Sequence, residues 1–281
     1  MTTLLKDIAV LFDASEAGQQ VLETAARIAG SHTSHLIGIT ALAQSPASLQ
    51  EGFAKGGAIH EVIVRHHSAM AAHAVQLGQS LTKALHRHEV NGELRVISHA
   101  ESSSESSLHA LYCDLLVVGH PDIPASPLAW SAPQILKQSG IPILIVPRDW
   151  KNRPIGKKVL VAWNGSRQSR RAIADAMPML VSAEEVTLLI IDAERKAELH
   201  GDEPGADMAA YLARHHVKVE LRRVASGGLP VAEVIISHAK ADQCDMVVFG
   251  AYSRPKLSES LFGGVTRTLL TEVPIPLFVS Q

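Results

Sequence analysis

The segment with the clearest capacity for chemistry is Gly250 to Leu270, "GAYSRPKLSESLFGGVTRTLL". An apolar run, "CDMVVFG", leads into it, and a glycine pair at 263 and 264 stands just before "VTRTLL", which has helical spacing. Glycine inside a helix destabilises it by about 1 kcal/mol. At a helix start it lets a ligand approach the backbone closely while the free N–H groups of the first turn point outward. The chemistry this predicts is anion binding, with phosphates docking on N–H groups from 263 to 266.

Other reactive residue types do not assemble into catalytic patterns. There is no Walker A sequence, since "PIGKKV" lacks the leading glycine and the Ser/Thr. "WNGSRQS" lacks the glycine that a nucleophile elbow needs after its serine, so Ser166 reads as a helix N-cap. His60-Glu61 has no second histidine at zincin spacing. Of 15 histidines, pairs fall at His66-His67 and His215-His216, with His86 and His88 nearby. Adjacent helical residues point about 100° apart, so solvated helix ends are expected there rather than a metal site. Cys113 and Cys244 hold equivalent places before apolar runs and read as inert buried thiols. "ESSSESS" (101–107) reads as a loop and helix cap, and Asp192 and Glu194 as solvated carboxylates after a strand. No catalytic residue and no metal ligand is predicted; any hydrolysis would be slow and incidental.

The elements that must position the glycine loop are written twice. "CDLLVVGH" (113–120) is a near copy of "CDMVVFGA" (244–251); "GIPILIVP" (140–147) matches "EVPIPLFVS" (272–280); "DIAVLFDAS" (7–15) matches "KVLVAWNGS" (158–166), with Asp13 on Asn164. The first copy carries about 20 extra residues around 42–65, where "QSPASLQEGFAKGG" looks like a loop. "PRDWKNRPIGKK" (147–158) reads as the linker, giving domains at 1–149 and 155–281. In the second copy "KVLVAW", "EVTLLIID", "VKVELRRV", "DMVVFG" and "IPLFVS" read as strands. They alternate with helical segments "SRQSRRAIADAMPML", "GADMAAYLARHH", "LPVAEVIISHAKA" and "GVTRTLL". Such alternation predicts an α/β fold, a parallel sheet covered by helices on both faces. With strand order 3-2-1-4-5, ligands bind beyond the strand C-termini between strands 1 and 4. Those ends are Asn164 and Gly250, so the 250–264 loop hangs over the crevice. The short apolar edges 142–146 and 276–279 are expected to pair with each other about a pseudo-twofold axis, which removes an aggregation hazard.

On these residues the chain resembles the universal stress protein family, in a tandem two-domain form. Its loop motif, G-x-x-G-x9-G-[ST], is approached by Gly250, Ser253, Gly263 and Gly264; "VAWNGS" resembles the strand that precedes the family's Asp-x-Ser, and "VPIPLFV" its last strand. The resemblance implies two Rossmann-like domains and an adenine nucleotide, ATP or AMP, with or without Mg, in the second. The implied contacts are Asn164, Ile191 at the adenine, Phe249 near the ribose, then Gly250, Ser253, Gly263, Gly264, Val265 and Thr266. Three departures bear on binding: Ser253 replaces the second glycine, Gly264 the Ser/Thr, and Asn164 the strand-1 Asp. Thr266 is expected to supply the missing hydroxyl. In the first copy "HPDIPASPLAWSAPQIL" follows Gly119, with Asp122 at the second glycine and no glycine pair. Asp13 and Asp122 together would repel phosphate, so the first crevice is expected to be degenerate for ATP.

Composition bounds the partners. Twenty-six basic and 28 acidic residues give a net charge of −2, so nucleic acid is not an expected partner. No apolar run reaches membrane-spanning length, "MTTLLKDIAVLFD" reads as a strand entry, and two cysteines make no disulfide framework. The expectation is a cytoplasmic, pseudo-dimeric chain, monomeric or homodimeric, that signals nucleotide to an unidentified protein partner. The alternative from the same residues is a nucleotide-free scaffold, or a carrier of a small apolar ligand in the first domain.

Overall fold

The computed structural model describes residues 5–42, 57–98, 109, 111–120, 135–136, 139–151, 153–196, 202–251 and 264–281. Strands β1 (Asp7–Leu11), β2 (His35–Leu42), β3 (Gly92–Ser98), β4 (Leu115–Gly119) and β5 (Ile143–Val146) belong to the first half. Strands β6 (Lys158–Ala162), β7 (Glu185–Ile191), β8 (Val219–Val224), β9 (Met246–Gly250) and β10 (Leu277–Ser280) belong to the second. All ten form one sheet in the order β3-β2-β1-β4-β5-β10-β9-β6-β7-β8. Each half therefore has the order 3-2-1-4-5, and the halves meet through their fifth strands.

That seam is the sheet's one antiparallel junction: Leu277 pairs with Ile145, Phe278 with Leu144 and Val279 with Ile143. All six residues are buried. Two apolar edges that would each be an aggregation template are spent on one another. The outer edges are guarded differently. β3 carries Glu93 and Arg95 and β8 carries Glu220 and Arg222, each a same-face ion pair of the repeated tripeptide Glu-Leu-Arg. Charged side chains on an edge discourage further strand addition.

Six helices are described: α1 (Glu16–His32), α2 (Gly57–His88), α3 (Arg167–Ser182), α4 (Ala206–Arg214), α5 (Val231–Ala241) and α6 (Gly264–Glu272). Ser15 and Ser166 cap α1 and α3, accepting hydrogen bonds from the amides of Gly18 (3.0 Å) and Ser169 (3.2 Å). β2 runs to Leu42 and α2 is helical from Gly57, so the last residue of the segment expected to be a loop, Gly57, already belongs to a helix. After the Gly56-Gly57 pair, nothing through His88 breaks a helix apart from Gly78, and alanine recurs throughout. At 32 residues against 9 in its counterpart α4, α2 is about 48 Å long. The remainder of the quoted insertion, 44–56, lies outside the described residues.

The linker is pinned rather than slack. The buried carboxylate of Asp245 accepts from the amides of Gly156 (2.8 Å), Lys157 (3.0 Å) and Lys158 (3.2 Å). Trp150 is buried, donates to the Pro154 carbonyl at 3.2 Å and lies under the Arg153 guanidinium, 3.9 Å from its ring centre. His120, just past β4, reaches across to the Thr271 carbonyl of α6 at 3.2 Å.

Candidate functional site

The site is built from strand ends. β6 and β9 are neighbours, with Ala162 opposite Phe249, so Asn164 and Gly250 emerge side by side at the C-terminal edge of the second half. β7 flanks β6 and ends on Ile191, half-buried. α6 leads into β10, which runs parallel to β9, so its N-terminus faces this same edge. Seven of the expected contacts, Asn164, Ile191, Phe249, Gly250, Gly264, Val265 and Thr266, thus come from three adjacent strands and one helix start.

Local chemistry fixes each position. Asn164 is exposed, and its Oδ1 accepts from the Ser166 amide at 3.1 Å, closing the turn that starts α3. Gly250 packs against that helix start. A Cβ there would lie 2.3 Å from the Gln168 carbonyl carbon and 2.4 Å from the Ser169 nitrogen, so only glycine fits. Phe249 is 4% exposed, inside the core. Gly264 begins α6 exposed, with no described atom within 4 Å of the place a Cβ would take. Val265 is half-buried and Thr266 buried. Ser253 and Gly263 lie outside the described residues.

The carboxylates after β7 differ from expectation. Glu194 is exposed, but Asp192 is half-buried, in the left-handed region at φ 52°, and its Oδ1 accepts from the buried Ser226 amide at 2.8 Å. A left-handed residue turns the chain sharply, and aspartate tolerates that conformation. The carboxylate is thereby used to tie the end of β7 to the end of β8.

The first half offers a different edge. Asp13 is buried, and its Oδ1 accepts from the Ser15 amide at 2.9 Å and from the Ser15 hydroxyl. A Cβ on Gly18 would fall 2.2 Å from that Oδ1. The corresponding helix position in the second half is Ser169, buried, its hydroxyl donating to the Ser166 carbonyl at 2.9 Å. Sequence reading missed this exchange; the signal was the glycine three residues after a capping serine in one copy and a serine in the other. Asp122 and the "ESSSESS" segment lie outside the described residues.

The two cysteines are buried just before β4 and β9, and burial pushes both thiols up to about 12. Such thiols are weak nucleophiles. His215 ends α4 against Tyr211, ring centres 4.6 Å apart and planes tilted by 56°, and Tyr211 also faces the Arg170 guanidinium at 4.7 Å. Among the described residues no group of three His, Cys, Asp or Glu side chains could hold a metal ion. Among the same residues no helix is long and apolar enough to cross a membrane.

Comparison with known proteins places this edge in a context. Residues 156–281 match the model of the universal stress protein family. A search of curated proteins finds no match. Among solved structures, a universal stress protein from Archaeoglobus fulgidus aligns over 98% of both chains at 15% identity, with a TM-score of 0.68. A putative universal stress protein from Pseudomonas aeruginosa aligns over 98% of this chain and 93% of its own at 18% identity, with a TM-score of 0.61. A shorter Archaeoglobus fulgidus universal stress protein, solved with dAMP, aligns over 52% of this chain at 15% identity, covering 98% of its own length with a TM-score of 0.33. The two full-length likenesses establish that the tandem arrangement is a fold seen elsewhere.

Proposed function

We propose, from the match of residues 156–281 to the universal stress protein family model, that the second half is a stress-response module that binds one adenine nucleotide, ATP or AMP. The observation that carries this reading is the bare start of α6. Gly264 is exposed, with no atom of the described residues within 4 Å of where its Cβ would stand, at the sheet edge where β6 and β9 end. First-turn amides there have no intrahelical acceptor, and the helix dipole favours an anion. The phosphates dock on this turn and on the loop at Ser253 and Gly263. The ribose and base lie toward Phe249 and Ile191, with Asn164 donating or accepting at the crevice floor. With ATP, a Mg ion is carried on the phosphates.

The reading is of binding with little or no hydrolysis. Asp192 is already committed to the Ser226 amide. The nucleotide state is then read by a protein partner through the surface around 251–262. Cytoplasmic residence belongs to the same proposal.

Calorimetric titration of ATP and AMP tests it, with Gly264→Asp as the decisive variant. The added Cβ meets no atom of the described residues within 4 Å, and an acidic residue at a helix start stabilises the helix. Lost binding therefore reports charge at the phosphate position and not unfolding. Wild type is expected to bind one nucleotide per chain, and Gly264→Asp to weaken it about tenfold or more. Two equivalent sites per chain, or an affinity indifferent to Gly264→Asp, would refute the reading.

A further inference from the structure

Away from the strand ends, the first half has a groove between α1 and α2, about 400 Å³ in volume. One wall is the α1 stripe Glu16, Gln20, Glu23 and Arg27; the other is the α2 stripe Ser80, Lys83, Ala84 and Arg87. The groove exists because Ser80 and Ala84, one turn apart, are too small to fill the space between the helices. Leu22, Thr24 and Ala84, which also line it, are buried.

The charges in it do not cancel. Glu23 is claimed by Arg87 at 2.8 Å and His88 at 2.6 Å. Burial alone would raise its carboxyl, but those hydrogen bonds outweigh it and hold the group below the usual carboxylate range. Glu16 is claimed by Lys151 at 2.5 Å. Two cations remain, Arg27 and Lys83, and among the described residues neither has an anionic partner. Arg27 is half-buried. The Gln20 Nε2, buried in the same wall, donates to nothing among the described residues. A half-buried guanidinium without an anion and a buried amide donor without an acceptor both carry a desolvation cost that one ligand oxyanion would relieve.

We propose that the α1–α2 groove is a binding site for a small molecule bearing a compact oxyanion, a carboxylate or a phosphoryl group. Arg27 and Lys83 grip it from opposite walls and the Gln20 amide donates from below. The guanidinium fork suits two oxygens of one group, and Lys83 supplies a point charge. The site is independent of the nucleotide edge and needs no residue of the second half.

Nuclear magnetic resonance titration of the whole chain tests it, following the Gln20 side-chain amide and the Arg27 Nε–H. The two probes are inorganic phosphate and malonate. Each signal is expected to shift saturably, with Kd on the order of 1 mM for the better probe. Tighter phosphate marks a phosphoryl ligand and tighter malonate a carboxylate. Arg27→Ala with Lys83→Ala should weaken the better probe about tenfold or more. Ser80→Leu keeps both cations and fills the groove, and should abolish binding. Should Ser80→Leu fail to fold, Arg27→Gln with Lys83→Gln takes its place and should weaken binding by the same factor. Gly264→Asp should leave these shifts intact, which separates this site from the nucleotide edge. Absence of shifts through the millimolar range, unchanged binding in the double variant, or loss of the shifts in Gly264→Asp would overturn the proposal.

Discussion

The two halves seat the start of their first helix against the strand ends through different close approaches. In the first, the helix yields: Gly18 leaves room for Asp13, whose carboxylate is drawn in and buried. In the second, Ser169 fills that room, Asn164 stays exposed, and the glycine is required on the strand, at Gly250, to let β9 meet the helix start. The difference teaches that a residue kept by duplication need not keep its contact: Gly119 and Gly250 match, yet a Cβ would meet a Val21 methyl at the first and backbone at the second. It also gives the halves different edges, one with an inward carboxylate and one with an outward neutral amide. The second also has an exposed glycine at a helix start, Gly264.

The sharpest way to break this comparison is to add one methyl group at matched positions. Gly250→Ala places a Cβ 2.3 Å from backbone, which cannot turn aside. At Gly119, the matching residue, the nearest atom is a Val21 methyl at 3.1 Å, which can. Denaturant unfolding should show Gly250→Ala destabilised by about 3 kcal/mol and Gly119→Ala by under about 1 kcal/mol. Equal losses would mean that β4 and β9 meet their helices alike.

A smaller asymmetry lies at the strand entries. Asp245 binds three successive linker amides and is buried, whereas its counterpart Asp114, an exposed residue, binds two, those of Lys6 (2.6 Å) and Asp7 (3.1 Å). Unmaking buried hydrogen bonds costs more than unmaking solvated ones. Asp245→Ala is expected to lose about 2 kcal/mol and Asp114→Ala about 1 kcal/mol or less. Limited proteolysis should also open the linker near Lys157 in the first variant alone. A linker still resistant in Asp245→Ala would show that Trp150 holds it without the carboxylate.

Much of this was legible in the chain. The repeated "CDLLVVG" and "CDMVVFG" marked matching central strands, and the proline-led edges announced the β5–β10 seam, because an apolar edge must be covered by something. The same repeat carried the Asp114/Asp245 clamp unread: an aspartate kept in both copies beside an apolar strand needs a reason, and backbone amides supply it. What stayed illegible was set by three-dimensional contact. Nothing in "VVFGA" against "VVGH" says that one glycine touches backbone and the other a methyl. Asp192 looked solvated because its partner, Ser226, is distant in sequence. No start was read for α2, because the alanines that recur through Gly57–His88 mark no boundary of their own.

The smallest expected difference is in pH response. α1 ends on His32, 6% exposed, with its Nδ1 buried and unpaired among the described residues. The second half ends the corresponding helix on Ser182 and Ala183, with nothing to titrate. A helix C-terminus would favour a charged imidazole, but burial opposes it and lowers the His32 pKa from its usual 6.5. The folded state therefore binds this proton less readily than the unfolded chain. Above the unfolded pKa both are neutral and His32 is indifferent to pH. As pH falls through that value the unfolded chain takes up the proton first, so stability declines, and the decline ends only below the folded pKa. Unfolding midpoints measured from about pH 7.5 to 5.5, where carboxylates stay ionised, should fall less steeply in His32→Leu than in wild type. The readout is the difference in slope, which is insensitive to whatever packing the substitution gains or loses. Parallel slopes would mean that His32 takes up its proton in the folded state as freely as in the unfolded one, and that the two halves do not differ in this respect.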